Sequence, residues 1–399
     1  MSTDLQGDLD RWLAPFLDHL GNKTRRLMCQ AYIGGLIAPG DRKSIQPMAA
    51  RYGDISYHRL HHFISEGVWS SLPVEAELWG QADALAGGEK SWLIIDDITL
   101  LKQGNGSVGV APQHVTPLGK PVNCQNMLAV ALTSCEVPIM LSLRLMLPDS
   151  WTQNEGRMLK AGVPEKFWPS KSKSSIAIEE IDRISASGVR FGYVLAEAGC
   201  GLSTPFLQAL GARKLCWAVG ISSCQKFYPA VLQPGFPAAR RGQQRLHLVQ
   251  DIKLFPAHAI LDNAKWRQVR LRWGNKVRLI TRIAAMRVCM PYGEVQCGVS
   301  SAPQHIPNEE VWLVGEKTSS GERKYYLSNL PADSSIKDVV AAIKARSISK
   351  HAHRQLKEEL GLDHFEGRSW IGLHRHALMT MIAYAFLQFR LLYDGGNGK

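Results

Sequence analysis

The sequence predicts an α/β fold preceded by a small helical domain and interrupted by a β-rich insertion. Three observations predict it. Apolar runs of strand length follow one another in SWLIIDD, NMLAVALTS and IMLSLRLML. A helical segment, a strand, a second helix and a short strand come next, in SIAIEEIDRISASG, FGYVLAEAG, STPFLQALGARK and LCWAVGI. A stretch rich in Pro, Gly and basic residues then breaks this layout before helices return. Strands followed by alternating helices and strands are the pattern of an α/β sheet.

Residues 1–80 read as the helical domain. RWLAPFLDHL spaces its apolar residues at helical intervals, and the turn-like APGDRKS separates it from QPMAARYG and YHRLHHFISEGVW. Arg42, Lys43, Arg51, His58, Arg59, His61 and His62 give this region a basic face. That face reads either as a DNA-contacting helix pair, with Lys43 and Arg59 among its contacts, or as an ordinary solvated surface.

Residues 81–221 carry the first part of the core. In SIAIEEIDRISASG, Ile176, Ile178, Ile181 and Ile184 hold helical register and Gly188 closes the helix. Ser203 or Thr204, ahead of Pro205, starts the next helix. Residues 222–332 form the insertion, with the basic runs FPAARRGQQR and KWRQVRLRWGNKVR, the latter holding Arg270 and Arg272. It closes on VWLVGEK, TSSGER and KYYLSNL, a hairpin. Residues 333–399 return to helix, opening on a Ser335 and Asp338 capping pair. The apolar stretch Ala377–Phe389 is shorter than the roughly 18 residues a membrane span requires, so it reads as a buried core helix.

Charge narrows the partners. The 399 residues include 47 Lys and Arg against 35 Asp and Glu, a net charge of +12 and a pI near 9.3. Such a balance favours a polyanion through long-range attraction and counterion release, with nucleic acid first in line. The eight cysteines are scattered without a CxxC pair, which points to reduced thiols and a cytoplasmic setting. The opening MSTDLQGDLDRW has no apolar run of a secretory signal.

Two places could carry chemistry. SWLIIDD ends in Asp96 and Asp97, and a carboxylate at the mouth of a buried strand is costly unless it is exposed, paired or bound to a cation. It reads equally as a magnesium ligand or as a solvated strand end. Glu197 ends the strand in FGYVLAEAG, and strand ends of an α/β sheet converge on one crevice, so Asp96 and Glu197 together could hold a hard divalent ion.

Several long stretches carry a more specific signal: LIIDDITLLKQGNGSVGVAPQH, LGKPVNCQN, LRLMLPDSW, VLAEAGCG, KYYLSNLP and LKEELGLDHFEGRSWIGLHRHALMTMIAYAFLQ. Together they resemble bacterial insertion-sequence transposases of the DDE superfamily, of the family numbered seven hundred and one, over nearly the whole chain. The resemblance implies an RNase H-like core with a β-rich insertion ahead of the last catalytic helix. It implies a magnesium-dependent endonuclease and strand transferase acting on the double-stranded DNA of transposon ends. Such a protein would be nucleoid-associated, with a homodimer left open.

Carried over residue by residue, the resemblance puts the catalytic positions at Asp96, Glu197 and Lys350, with Asp96, Asp97 and Glu197 as the metal-facing carboxylates. Arg346 and Lys357 match basic residues of the same pattern and join the DNA-binding set. Two positions depart from it. Glu197 stands where the family has Asp, and Lys350 stands where a catalytic Glu is expected, although an ammonium cannot ligate a cation. The expectation is therefore a protein that binds transposon ends with cleavage lost or weak, with Lys350 either bridging the remaining carboxylates in place of the metal or carrying its ammonium out to water. The alternative is an active transposase with an unusual third ligand.

Overall fold

The computed structural model describes residues 3–40, 42–51, 55–115, 118–134, 137–201, 203–230, 253–273, 277–295, 304–318 and 321–396. The chain divides into two compact units, Met1–Gly192 with Ala345–Lys399, and Tyr193–Lys344.

The first unit begins with five helices, α1 (Thr3–Asp18), α2 (Lys23–Ile37), α3 (Ile45–Arg51), α4 (Tyr57–Ser65) and α5 (Leu72–Ala86). Asn22 and Ser56 cap α2 and α4 by accepting the N–H of Arg25 and Arg59. The strands follow: β1 (Gly88–Leu101), β2 (Ala111–Val115), β3 (Lys120–Thr133) and β4 (Pro138–Met146). β3 pairs antiparallel with β1 along one edge and with β2 and then β4 along the other. β1, β3 and β4 thus make a three-stranded antiparallel layer, with β2 beside β4 on the outer edge of β3. β1 runs past the end expected for it, because Asp96 and Asp97 lie inside the strand rather than at its mouth.

Two short helices, α6 (Asp149–Thr152) and α7 (Glu155–Lys160), lead to α8 (Lys173–Ala186), the helix expected from the isoleucine spacing. Ile176, Ile181 and Ile184 are buried, Ile178 is only half-buried, and Gly188 follows the helix with φ +88°. One buried ion network fixes α8. Glu180 has no exposure and meets Arg144 of β4, Arg183 and the Ser142 hydroxyl, while Arg183 reaches Glu75 of α5. Burial raises the Glu75 pKa and Arg183 opposes the rise.

The second unit starts with β5 (Phe191–Ala196), α9 (Ala198–Gly201), α10 (Thr204–Ala212) and β6 (Cys216–Ile221), with β5 and β6 parallel. The insertion is β-rich as expected: β7 (Lys226–Pro229), β8 (Phe255–Pro256), α11 (Ala257–Asp262), β9 (Arg267–Trp273), β10 (Val277–Val295), β11 (Gln304–Lys317) and β12 (Arg323–Ser328). The predicted hairpin is β11 and β12, closed at Lys317 and Arg323 with Gly321 at φ +85°. β12 pairs in turn with β6. The run FPAARRGQQR lies outside the described residues.

α12 (Ile336–Arg354) opens as expected, the Asp338 N–H donating to the Ser335 hydroxyl at 3.2 Å. A π-helical turn, Gln355–Glu359, ends it. α13 (Trp370–Gly396) contains the predicted buried stretch, and among the described residues no helix is long and apolar enough to cross a membrane. α13 packs against β4, α2, α4 and α5. Its Arg375, 6% exposed, donates to the carbonyls of Phe63, Ile64 and Trp69 and lies 4.3 Å from the Trp69 ring. These carbonyls sit at and just beyond the end of α4, where a helix leaves acceptors unsatisfied.

His374, half-buried, and His376, buried, flank that arginine and are neutral. Burial pushes each pKa down to about 4. His376 donates from Nε2 to the Gly361 carbonyl and accepts the Tyr32 hydroxyl on Nδ1 at 2.8 Å. His374 donates from Nδ1 to the Trp370 carbonyl and accepts the Leu145 N–H on Nε2. Each ring thus already has one donor and one acceptor in use.

Two outcomes follow from this packing. The unfolded chain protonates these histidines near their ordinary pKa of 6.5 whereas the folded chain resists to about 4. Stability is therefore full above 6.5 and falls between those values by about 1.4 kcal/mol per pH unit for each histidine. Thermal melts from about pH 7 down to about pH 5 should show a steadily falling Tm, and a flat profile would contradict the neutral assignment. Arg375→Met should cost about 3 kcal/mol in urea unfolding, since it strands the carbonyls of the buried Ile64 and Trp69.

Candidate active site

Asp96 and Asp97 face Ala129 and Leu128 of β3 across the sheet. Successive side chains of a strand leave opposite faces, so the two carboxylates do not share a side. Asp96 is 5% exposed, and a carboxylate so deep is tolerated only when its oxygens are satisfied. Its Oδ1 accepts the Asp97 N–H at 3.0 Å and its Oδ2 accepts the Ser349 hydroxyl at 3.1 Å. Asp97 is half-buried, and Lys173 at the start of α8 brings its Nζ to 2.6 Å from Oδ2.

The α12 residue that meets Asp96 is therefore Ser349 and not Lys350. A fully buried stripe runs Ala342, Ala345, Ser349, Ala352, Leu356, in alternating steps of three and four. Lys350 is one residue off that stripe, turned by about 100° around the axis. It is exposed, so its ammonium does not act as a buried bridge for Asp96. The bridging expected of Lys350 is instead divided between a serine hydroxyl on Asp96 and the Lys173 ammonium on Asp97.

Glu197 stands in the second unit, half-buried directly after β5, and its carbonyl accepts the Cys200 N–H at 2.9 Å. The basic residues expected at DNA fall into three groups. Arg59 on α4 and Arg270 on β9 are exposed, and Lys357 is half-buried on the π-helical turn. Lys43 is buried at 4% exposure, because its ammonium donates to the Ala38 carbonyl at the end of α2 and its N–H donates to His364 Nδ1. It satisfies a helix terminus and does not present a charge to solvent. Arg272 pairs in register with Arg278, while the side chains of Arg272 and Arg346 lie outside the described residues.

Sequence reasoning missed Ser349 and Lys173. Both left a signal. The stripe of small residues on α12 could have been counted, and it excludes position 350. Lys173 opens a helix, where the macrodipole disfavours a cation, so a carboxylate partner could have been sought for it.

The magnesium expected at these carboxylates is tested by the donor set. Within this unit the two acids diverge across the strand, Asp96 already takes protein donors on both oxygens, and Asp97 holds an ammonium. Among the described residues no group of three His, Cys, Asp or Glu side chains is disposed to hold a metal ion. The set in this unit does not fit a dedicated hard-cation site.

Comparison with known proteins gives one match of family rank: the model of the DDE superfamily endonuclease family matches residues 15–278. No curated protein matches the chain. Among solved structures, the chain is similar to a piggyBac transposase in a synaptic complex with hairpin DNA. The TM-score is 0.43 and the identity 10%, over 100% of this chain and 74% of that one.

Substitutions should separate the two neighbours on α12. Ser349→Ala removes a hydrogen bond to a buried carboxylate and should cost about 1–3 kcal/mol in urea unfolding, while Lys350→Ala should stay within about 0.5 kcal/mol. A neutral Ser349→Ala beside a costly Lys350→Ala would reverse the assignment.

Proposed function

Because the chain belongs to the DDE superfamily endonuclease family, we propose that it is a transposase-type protein that binds the double-stranded DNA of transposon ends and cleaves it weakly or not at all. The observation that carries this reading is the hydroxyl of Ser349 on Asp96, where a third carboxylate would be needed beside the first. The chemistry of the family runs on divalent ions, which activate an attacking oxygen and steady a leaving one. The resemblance offers Asp96, Asp97 and Glu197 to such an ion, while the groups already around Asp96 and Asp97 do not fit one. Lys350 adds no ligand, and the acids are already occupied, Asp96 by neutral donors and Asp97 by the Lys173 ammonium. Exposed basic residues, Arg59 and Arg270 among them, supply phosphate contacts, in keeping with the net charge of +12.

DNA binding should be salt-sensitive, with the log-log slope steepening by about 0.9 for each phosphate neutralised. Fluorescence anisotropy over a salt series measures it; no binding at low salt would sink the reading. Incubated with magnesium or manganese, the unaltered protein should neither nick nor join DNA above background, and clear metal-dependent cleavage of its own ends would favour an active enzyme instead. Ser349→Asp, which places a second carboxylate beside Asp96, should make the melting temperature rise with metal through preferential binding to the folded state. Lys350→Glu, on the exposed side, should leave it unmoved.

A further inference from the structure

Away from the β1 carboxylates, two cavities of about 600 Å³ and about 610 Å³ lie side by side in the first unit and share Arg42, His364, Phe365 and Glu366 in their walls. The first is bounded by Tyr57 and His61 of α4, the second by the glycine-containing loop after β1, from Leu101 to Ser107. Arg42, Lys102 and Arg368 stand against Asp363 and Glu366 in their walls, a small positive excess. Lys102 lies beneath, its ammonium fixed by donation to the carbonyls of Asp363 and Phe365 at 3.0 and 2.9 Å. Arg368 is exposed and lies against Gly106, so close that a Cβ there would sit 3.0 Å from its Nε. A Cβ at Gly104 would meet nothing, so the loop leaves room for a ligand to approach the backbone.

The shared wall holds the informative contact. Arg42 and Glu366 form an ion pair between the two cavities, with their side chains 64% and 65% exposed. A pair so open to solvent is held weakly and can be exchanged for a stronger anion. A phosphate matches the guanidinium fork as well as a carboxylate does, and carries the same sign of charge.

We propose that the two cavities form one trough that binds the phosphodiester backbone of nucleic acid, with Glu366 as the internal anion that a phosphate displaces from Arg42. This rests on the DNA-binding reading above and gives it a place: Arg42 and Arg368 grip phosphates, Lys102 adds fixed positive charge below, and Glu366 sets a threshold that weak anions do not pass. All three of Arg42, Arg368 and Glu366 are exposed, so their replacement leaves the core intact.

The test uses the full chain and a fluorescent DNA duplex. Arg42→Gln with Arg368→Gln should flatten the log-log salt slope by about 0.9 for each arginine that meets a phosphate. Arg42→Lys with Arg368→Lys should keep the slope, and Glu366→Gln should tighten binding several-fold at constant slope within error. Arg190→Gln, at an exposed ion pair with Asp83 elsewhere on the unit, is the control for loss of charge alone. If unaltered protein binds DNA and the double Gln variant behaves like the Arg190→Gln control, the trough is overturned while the DNA-binding reading stands. If unaltered protein does not bind DNA, both fall. Inorganic phosphate, added at the same phosphate concentration as an unlabelled oligonucleotide, should compete far less well. Equal competition would make the site a free-phosphate site and overturn the nucleic-acid assignment.

Discussion

Much of the first unit depends on one buried cation. Arg375 comes from the second turn of α13 and ends on three backbone carbonyls at and beyond the end of α4. Burial lowers its pKa to about 10, still well above neutrality, so the charge persists inside the protein. A helix terminus supplies partial negative charge without needing an ionised partner, which makes a lone arginine tolerable there. The contact ties residues more than three hundred positions apart and holds α4 against α13. α4 also carries the exposed Arg59 and the Tyr57 and His61 wall of the first cavity, and its Phe63 stacks on Trp69.

A second theme is that acids in this unit are answered by the chain itself. Glu180 is met by two arginines and a serine, Asp97 by Lys173, and Asp96 by Ser349 and its own neighbouring amide. Each arrangement offsets the cost of taking a carboxylate out of water. Asp96 and Asp97 are thereby held inside β1 by groups of the protein itself. Family membership and the local chemistry consequently point in different directions, and the difference turns on the residues around the acid more than on the acid.

Much of the fold was legible because it follows local rules. Apolar runs of strand length became β1, β3 and β4, the isoleucine spacing became α8, and VWLVGEK and KYYLSNL became the paired strands β11 and β12. Two readings slipped where long-range contacts overrode local signals. SWLIIDD reads as ending in solvent, yet pairing with β3 carries β1 on to Leu101, with hydrogen bonds for the acids inside it. Lys43 reads as a surface charge, yet the carbonyl at the end of α2 draws it inward.

By itself, the sequence determined the α/β class, the β-rich insertion, the basic character and, through long collinear matches, the family. These depend on periodicity, charge and residue order, all of which survive without knowledge of what touches what. The tertiary structure alone decided which side of α12 meets Asp96. A helix turns by about 100° per residue, so a residue one place along belongs to a different face. An aligned motif fixes the position in the chain, but docking fixes the phase. That phase put Ser349 on the acid and Lys350 in solvent, because a stripe of alanines and a serine packs closely where a lysine stem and its hydration shell would not.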